Sequence, residues 1–449
     1  MLSLLNFFVR LCGQFFPFSI MIFTFVFFSC ASKDHFNRLD NSVYDEKYYE
    51  SIGFLESNKD ILYMPSRDMV LYYLDKGMLS RYAGRYGESS ELLQKGDLAI
   101  EEAFTKSISR GAGSFIINDN VLEYAGEDYE DIYVNAFNAL NYYHQGDRER
   151  AMVEIRRMNN KLLYLETKYD TVRTDLQKHA LADGVSSIPS NPNAPSVFYD
   201  SALARYLGMV FFRQDGRHDN ARIDREHLLL AFANAPNLYK HPVPSSISGE
   251  LEIPEGLARV NVIAFSGLSP IKESNTMRIS LPESRWVKIS LPEMVSRPSH
   301  VDHIVVQFDD GRNFRLELLE DIEAIARDTF KSRQNIIYIK TVIRAMLKGV
   351  SSSVFDIAAE QSEGTEALLW TILSLSSQLY AEASEHADLR IARYFPGKAW
   401  VGAVNVEPGI YSYRVNFFNR SGKLLSSQYF DGVNVNPGRL NLTEAFCLR

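Results

Sequence analysis

Cysteine is nearly absent from this chain: its 449 residues hold three, Cys12, Cys30 and Cys447. So few thiols exclude an internal disulfide framework and a four-cysteine metal site. Clustered basic charge is missing too. Lys and Arg number 48 against 56 Asp and Glu, for a formal net charge of −8. A chain without a basic patch has little to offer nucleic acid phosphates or anionic lipid headgroups. The catalytic signatures that can be read locally are also lacking. There is no His-Glu-x-x-His, no Gly-x-Ser-x-Gly elbow and no phosphate-binding Gly-x-x-x-x-Gly-Lys-Ser/Thr loop. Gly111-Ala112-Gly113 has no strand before it and no helix after it, and reads as a loop. His300 and His303 would face opposite sides of a strand. His218 and His227, with Asp215, Asp219 and Asp224 nearby, read as surface polar residues. No metal or cofactor is expected.

What is present starts at the amino-terminal end. From Cys12 to Phe28 there is no charged residue, Arg10 precedes the run, and Ser29-Cys30-Ala31-Ser32 is followed by Lys33 and Asp34. A basic residue, an apolar run and a small residue before a cut mark a secretory signal peptide. With Cys30 next, the segment resembles the lipobox of bacterial lipoproteins. That resemblance implies a diacylglycerol on the Cys30 thiol and removal of residues 1–29. Acyl chains hold a protein on a bilayer at about 0.8 kcal/mol per buried CH₂. Ala31, where an inner-membrane retention signal would place Asp, points to the outer membrane. The other reading is a retained anchor, since a span needs roughly 17–25 apolar residues.

From Tyr44 to about Tyr169 apolar residues recur at helical spacing, and Pro65 is the only proline. The stretch Tyr73 to Tyr86, with Gly77, Gly84, Ser89, Leu92, Leu93 and Gly96, resembles a tetratricopeptide repeat. Weaker copies are built around Gln145-Gly146-Asp147 and Gln214-Asp215-Gly216. The spacing of Gly84 and Gly146 is not one repeat length, so regular tandem repeats are excluded. A generic array of helical hairpins fits as well. Acidic residues at Glu127-Asp128-Tyr129-Glu130-Asp131 are expected on a solvated face. Residues 184–195 read as a loop between helical units.

After His241 the pattern changes. Strands are expected at Arg259–Phe265, Met277–Leu281, Trp286–Leu291, Asp302–Phe308, Asn313–Leu318, Ala399–Val406, Ile410–Phe418 and Leu424–Phe430. Asp309-Asp310-Gly311-Arg312 is a hairpin signal. Helical spacing returns from Glu320 to Ala383. The fold class is therefore α+β: a signal peptide over 1–29, a tetratricopeptide-like helical domain over 30–241, and a β-sandwich-like domain over 242–449. A helical insertion at about 319–385 interrupts the latter.

Several segments together resemble one family. These are Gly267-Leu268-Ser269-Pro270-Ile271-Lys272, Leu319-Glu320-Asp321-Ile322, Arg344-Ala345-Met346-Leu347-Lys348, Ala387-Asp388-Leu389-Arg390, Pro408-Gly409 and Asp219-Asn220-Ala221-Arg222. They are similar to uncharacterised bacterial lipoproteins with tetratricopeptide-like helices and a C-terminal β-rich domain. The family implies a fold and an envelope location but no activity. Ile391-Ala392 departs from the aromatic expected after Asp-x-Arg. The candidate binding residues are Lys272, Arg344, Lys348, Asp388 and Arg390. Arg344 and Lys348, four apart, share a helix face, and Lys272 and Asp388 could meet them. A purely structural ion-pair set explains the same residues.

Function is thus expected to be non-enzymatic: a membrane-anchored envelope lipoprotein that binds another envelope protein, with the concave face of the helices as the groove. The alternatives are an envelope hydrolase acting on cell-wall polymer through two carboxylates, and a structural part of an assembly complex. Cys447 reads as a spare tail thiol. The expected outcome for Cys30→Ala is loss of acylation with an uncleaved precursor. Labelled palmitate fed to cells checks this; equal labelling of wild type and variant refutes the lipid anchor.

Overall fold

The structure, a computed structural model, describes residues 33–109, 122–164, 198, 200–281, 285–297, 299–331 and 388–449. Cys30, the 184–195 loop, Arg344, Lys348 and most of the helical insertion lie outside the described residues. Helices fill the first part and strands the second. In chain order the helices are α1 (33–44), α2 (Tyr48–Ser57), α3 (Lys59–Leu62), α4 (Met69–Tyr82), α5 (Tyr86–Ser109), α6 (Asp128–His144), α7 (148–164), α8 (Ala202–Gln214) and α9 (His218–Asn234). A tenth, α10, begins at 322.

Three helical hairpins, α4/α5, α6/α7 and α8/α9, turn on the same device. Gly84, Gly146 and Gly216 sit at φ 74°, 74° and 70°, a left-handed conformation that glycine adopts without strain. Each returns its amide and the next one to carbonyls of the helix just ended, as in Arg85 N to Ser80 O, Asp147 N to Tyr142 O and Arg217 N to Phe212 O. The first helix of each hairpin is enclosed nearly all round, including Asp75 and Arg81 on α4. The last helix, α9, buries only Ala221, Asp224, Leu228 and Ala231. The first helices therefore form an inner layer.

That inner layer rests on a sheet. The strands are β1 (Ala258–Leu268), β2 (Ile271–Leu281), β3 (Arg285–Val295), β4 (His303–Phe308), β5 (Asn313–Asp321), β6 (Pro396–Val406), β7 (Gly409–Phe418), β8 (Leu424–Val435) and β9 (Asn441–Cys447). Seven of them make one sheet in the order β8-β7-β4-β5-β6-β1-β9, and β2 and β3 pair apart from it. All pairings are antiparallel except β1 with β9. β5 pairs with β4 through Asn313–Leu316 and with β6 through Glu317–Asp321, with a register shift between Leu318 and Glu320. The sheet turns at that strand. Its two ends meet again where the Gln428 side chain on β8 donates to Phe446 O and accepts from Phe446 N on β9. The inner face encloses a core of Val262, Ile304, Val306, Val415, Phe417 and Cys447, among others.

Several expectations change here. The strands follow one continuous sheet order, where two separate facing sheets were expected. β5 extends to Asp321, so Leu319 and Glu320 are strand and the helix starts later. Pro292 lies within β3 and does not end it; a two-stranded pair is all edge, where a missing amide donor costs least. β9 was not expected at all. Its Cys447 is a core residue, and burial pushes the thiol up to about 11, so pairing with another chain is closed to it.

β1 is buried along its whole length. Val260, Val262 and Ala264 face the sheet's core, and Ile263 and Phe265 face the helices. Phe265 meets Phe137 of α6 at 5.2 Å between ring centroids. The helical face expected to receive a partner is thus covered by the chain's own sheet.

Close helix approach within the hairpins demands small residues. A Cβ on Gly208 of α8 would lie 2.1 Å from the Asp224 carboxylate of α9, which pairs with Arg205 at 3.0 Å. Gly208→Val is expected to destabilise the protein by roughly 1–3 kcal/mol. Gly53→Ala, on α2 with open space around it, is expected to stabilise by about 0.4–1 kcal/mol. Denaturant unfolding of both variants checks the contrast.

Candidate functional site

Residues 388–395 join the insertion to β6 without being helix or strand. Ile391, Ala392, Tyr394 and Phe395 are buried, so the backbone between them needs partners away from water. Side chains supply most of them. Arg390 N donates to Asp388 at 3.1 Å, Ala392 N to Glu130 at 2.6 Å and Arg393 N to Asp75 at 2.6 Å. On the acceptor side, Lys272 Nζ donates to Arg390 O at 3.1 Å, Tyr82 to Tyr394 O at 2.9 Å and Arg297 to Arg393 O. Ser269 N donates to Phe395 O at 2.8 Å. The strap is laced to α4 and α6 on one side and to the turn after β1 on the other.

Three of the five residues expected at a binding site meet here. Lys272 is bonded to the Glu127 carboxylate and lies 5.0 Å from the Phe330 ring centroid. Arg390 grips Asp388 with two bonds of 2.8 Å and reaches Asp68 at 3.3 Å and Leu122 O at 2.8 Å. Burial pushes the Asp388 carboxyl up, but the Arg390 bonds and charge, helped by Lys272, outweigh it and hold the group at about 2. These charges answer one another. The turn glycine of the preceding segment, Gly267 at φ 63°, packs where a Cβ would lie 2.7 Å from Ser299. Arg344 and Lys348 lie outside the described residues, so their meeting with this group is not part of the geometry.

The acidic run at 127–131 was expected in solvent and is mostly buried: Glu127, Asp128 and Glu130 are 2%, 5% and 0% exposed. Glu127 and Glu130 form a reciprocal capping box at the start of α6. Glu130 also accepts from Tyr124 at 2.8 Å. Burial, with the neighbouring Glu127 charge, raises Glu130 to about 7. Burial likewise raises Asp75 to about 7, against the bonds from Arg393 N and Tyr63. The signal that could have found Glu127 and Glu130 was their spacing of three at a helix start. Asp75 had a weaker one: α4 has no polar face to put it on.

Elsewhere the same interface holds saturated carboxylates. Glu320 of β5 accepts from Tyr133, Ser201, Tyr239 and Leu203 N. Glu444 of β9 pairs with Arg81 and, at 2.9 Å, with His144. Burial pushes Glu444 up, but the Arg81 charge and His144 outweigh it and hold it at about 2. Glu250, Arg213 and Asn261 form a third group under Tyr206. Two carboxylates with raised proton affinity, Asp75 and Glu130, are thus present, and both are enclosed by the fold.

The described residues do form a surface cleft of about 810 Å³ on the sheet, lined by His241, Ser245, Arg259, His303, Glu317 and Trp400 among others. No group of His, Cys, Asp and Glu among the described residues could hold a metal ion. His303 stands beside Asp302 at 3.0 Å and stacks on Phe418, while His218 and His227 are far apart in role. His227 bonds Asp200 at 3.0 Å.

Asp75 and Glu130 set a pH dependence. Their folded values lie above their unfolded ones, so their contribution is complete below about 4 and is lost as pH rises through about 7. Asp388 and Glu444, held at about 2, act in the opposite sense and only at acid pH. Stability is therefore expected to fall between pH 5 and 8, and Asp75→Asn to flatten part of that slope. Urea unfolding at both pH values checks it. Lys272→Met removes the Lys272 charge from the buried Glu127 carboxylate, with an expected loss of about 3–5 kcal/mol.

No known protein family, curated protein or solved structure matches this chain, so its own geometry carries the functional reading.

Proposed function

We propose that this chain is a membrane-anchored cell-envelope lipoprotein that works by binding another protein and not by catalysis. The observation that carries the reading is Cys30 at the polar edge of an uncharged run, followed by a folded body. Among the described residues no helix is long and apolar enough to cross a membrane. In this reading acyl chains on Cys30 are the attachment and the outer membrane is the location. In this reading the three hairpins are tetratricopeptide-like and the curled sheet is a sandwich-like unit closing their inner face.

A binding role accords with how the buried charges are used. Lys272, Asp388 and Arg390 hold one another and the strap, which leaves them positioning roles in the fold. The raised carboxylates Asp75 and Glu130 are 1% and 0% exposed, so these two are not an accessible pair of the kind a cell-wall hydrolase uses. The surface is where a partner would act.

Affinity capture of the full chain from detergent-solubilised membranes is expected to return the same envelope protein reproducibly. A chain beginning at Ala31, without the apolar run and the acylated cysteine, is expected to keep that partner bound while leaving the membrane fraction. Capture that returns no reproducible partner overturns the binding role.

A further inference from the structure

β5 and β6 pair only along part of their length. Glu317 to Asp321 lie against Lys398 to Val401. On the other side of Glu317, Asn313 to Leu316 pair with β4 alone. Beyond Val401, Gly402 to Val406 pair with β1 alone. The two strands thus open as a fork, and each presents one unladdered edge toward the other. Phe314, Arg315, Leu316, Gly402 and Ala403 from both arms line the cleft. Its volume, about 810 Å³, falls within the roughly 300–1,000 Å³ of ligand sites.

One wall of the cleft is the short turn Ser245–Gly249 with His241 before it. His241 Nδ1 lies 3.3 Å from Pro242 O; a hydrogen bond there places the proton on Nδ1 and makes Nε2 an acceptor. Nε2 and Ser246 Oγ are buried and have no protein partner among the described residues. The acids that face the cleft are already engaged: Asp302 by His303, and Glu317 by Ser245 N and Oγ. Arg259 is held by Asn405, Ser246 O and Glu250. Arg315 is exposed and has no ion pair among the described residues.

We propose that this fork receives an extended segment of the partner polypeptide as an added strand, paired along Gly402–Val406, with an acidic side chain toward Arg315. The proposal rests on the protein-binding reading above and names its site. An extended peptide offers main-chain donors and acceptors at the spacing of a strand edge, which no other class of ligand does. The unladdered arm of β6 spans five residues, or roughly 17 Å of strand; Gly402 packs against Leu316 at the root of the fork, and Ala403 to Asn405 are half-buried. Open edges are normally covered, charged or bulged; this one is walled by the 245–249 turn and reaches the cleft at Gly402 and Ala403.

The test uses the full chain in detergent and a phage-displayed library of random peptides. Wild type is expected to enrich acidic peptides of extended character. Ala403→Trp, which fills the fork, is expected to weaken the enriched synthetic peptides by about tenfold or more, and so is Arg315→Glu. Leu98→Ser, on the exposed side of α5, is expected to leave binding unchanged. N-methylation at alternate peptide amides should abolish binding, and peptide should slow amide exchange in 402–406. No enrichment, or equal binding to Ala403→Trp and wild type, overturns the fork. If Ala403→Trp lowers the melting temperature, the exposed Arg315→Glu decides. A captured envelope protein that binds both variants normally leaves the lipoprotein reading standing and removes only this site.

Discussion

The structure depends on satisfying one stretch of backbone that has no strand to pair with. The strap at 388–395 passes between the helices and the turn after β1, where water cannot reach most of it. Asp75 and Glu130 accept its amides, and Lys272, Arg297 and Tyr82 donate to its carbonyls. Arg393 then reaches out to Asp40 of α1, and Tyr394 bonds the same carboxylate at 3.0 Å. Side chains from α4 and α6, with Lys272 and Arg297, thus do for this segment what a neighbouring strand does elsewhere. Removing any one leaves a buried polar group unmade, which costs about 1–3 kcal/mol.

The wider helix–sheet interface follows the same logic. Apolar contact such as Phe137 on Phe265 and Phe395 supplies non-directional attraction. The polar groups add direction. Arg81 can meet Glu444, Asn141 and Phe137 O together only in one placement of α4, α6 and β9. Glu320 likewise ties α6, α8 and the Tyr239 loop to β5. Buried ion pairs gain little net stability, because desolvation offsets attraction. In this protein their effect is on which arrangement is adopted.

The legible parts of the fold were those governed by local chemistry. Gly84, Gly146 and Gly216 mark hairpin turns because left-handed backbone selects glycine. Asp309-Asp310-Gly311-Arg312 marks the β4–β5 turn for a similar reason. β9 escaped because Asn441–Cys447 is buried on both faces and so carries no alternation. The acidic run at 127–131 misled because carboxylates suggest solvent, whereas two of them close a helix start. Lys272, Asp388 and Arg390 were found as a group through family resemblance, since residues so far apart in sequence leave no periodic trace. The carboxylates that hold the strap, Asp75 and Glu130, left only weak local signals, because their strap partners are backbone amides, which carry no residue identity.

β9 carries a temporal consequence. It is the last strand of the chain, yet it lies beside β1 at the centre of the molecule, and its Glu444 is separated from Arg81 by 363 residues. During synthesis the inner helices emerge long before the surface they rest on. Until β9 arrives, Arg81 has no carboxylate, Tyr143 no carbonyls from Leu440 and Leu442, and β1 one bare edge. The inner faces of the hairpins therefore stay partly uncovered until the last strand is in place.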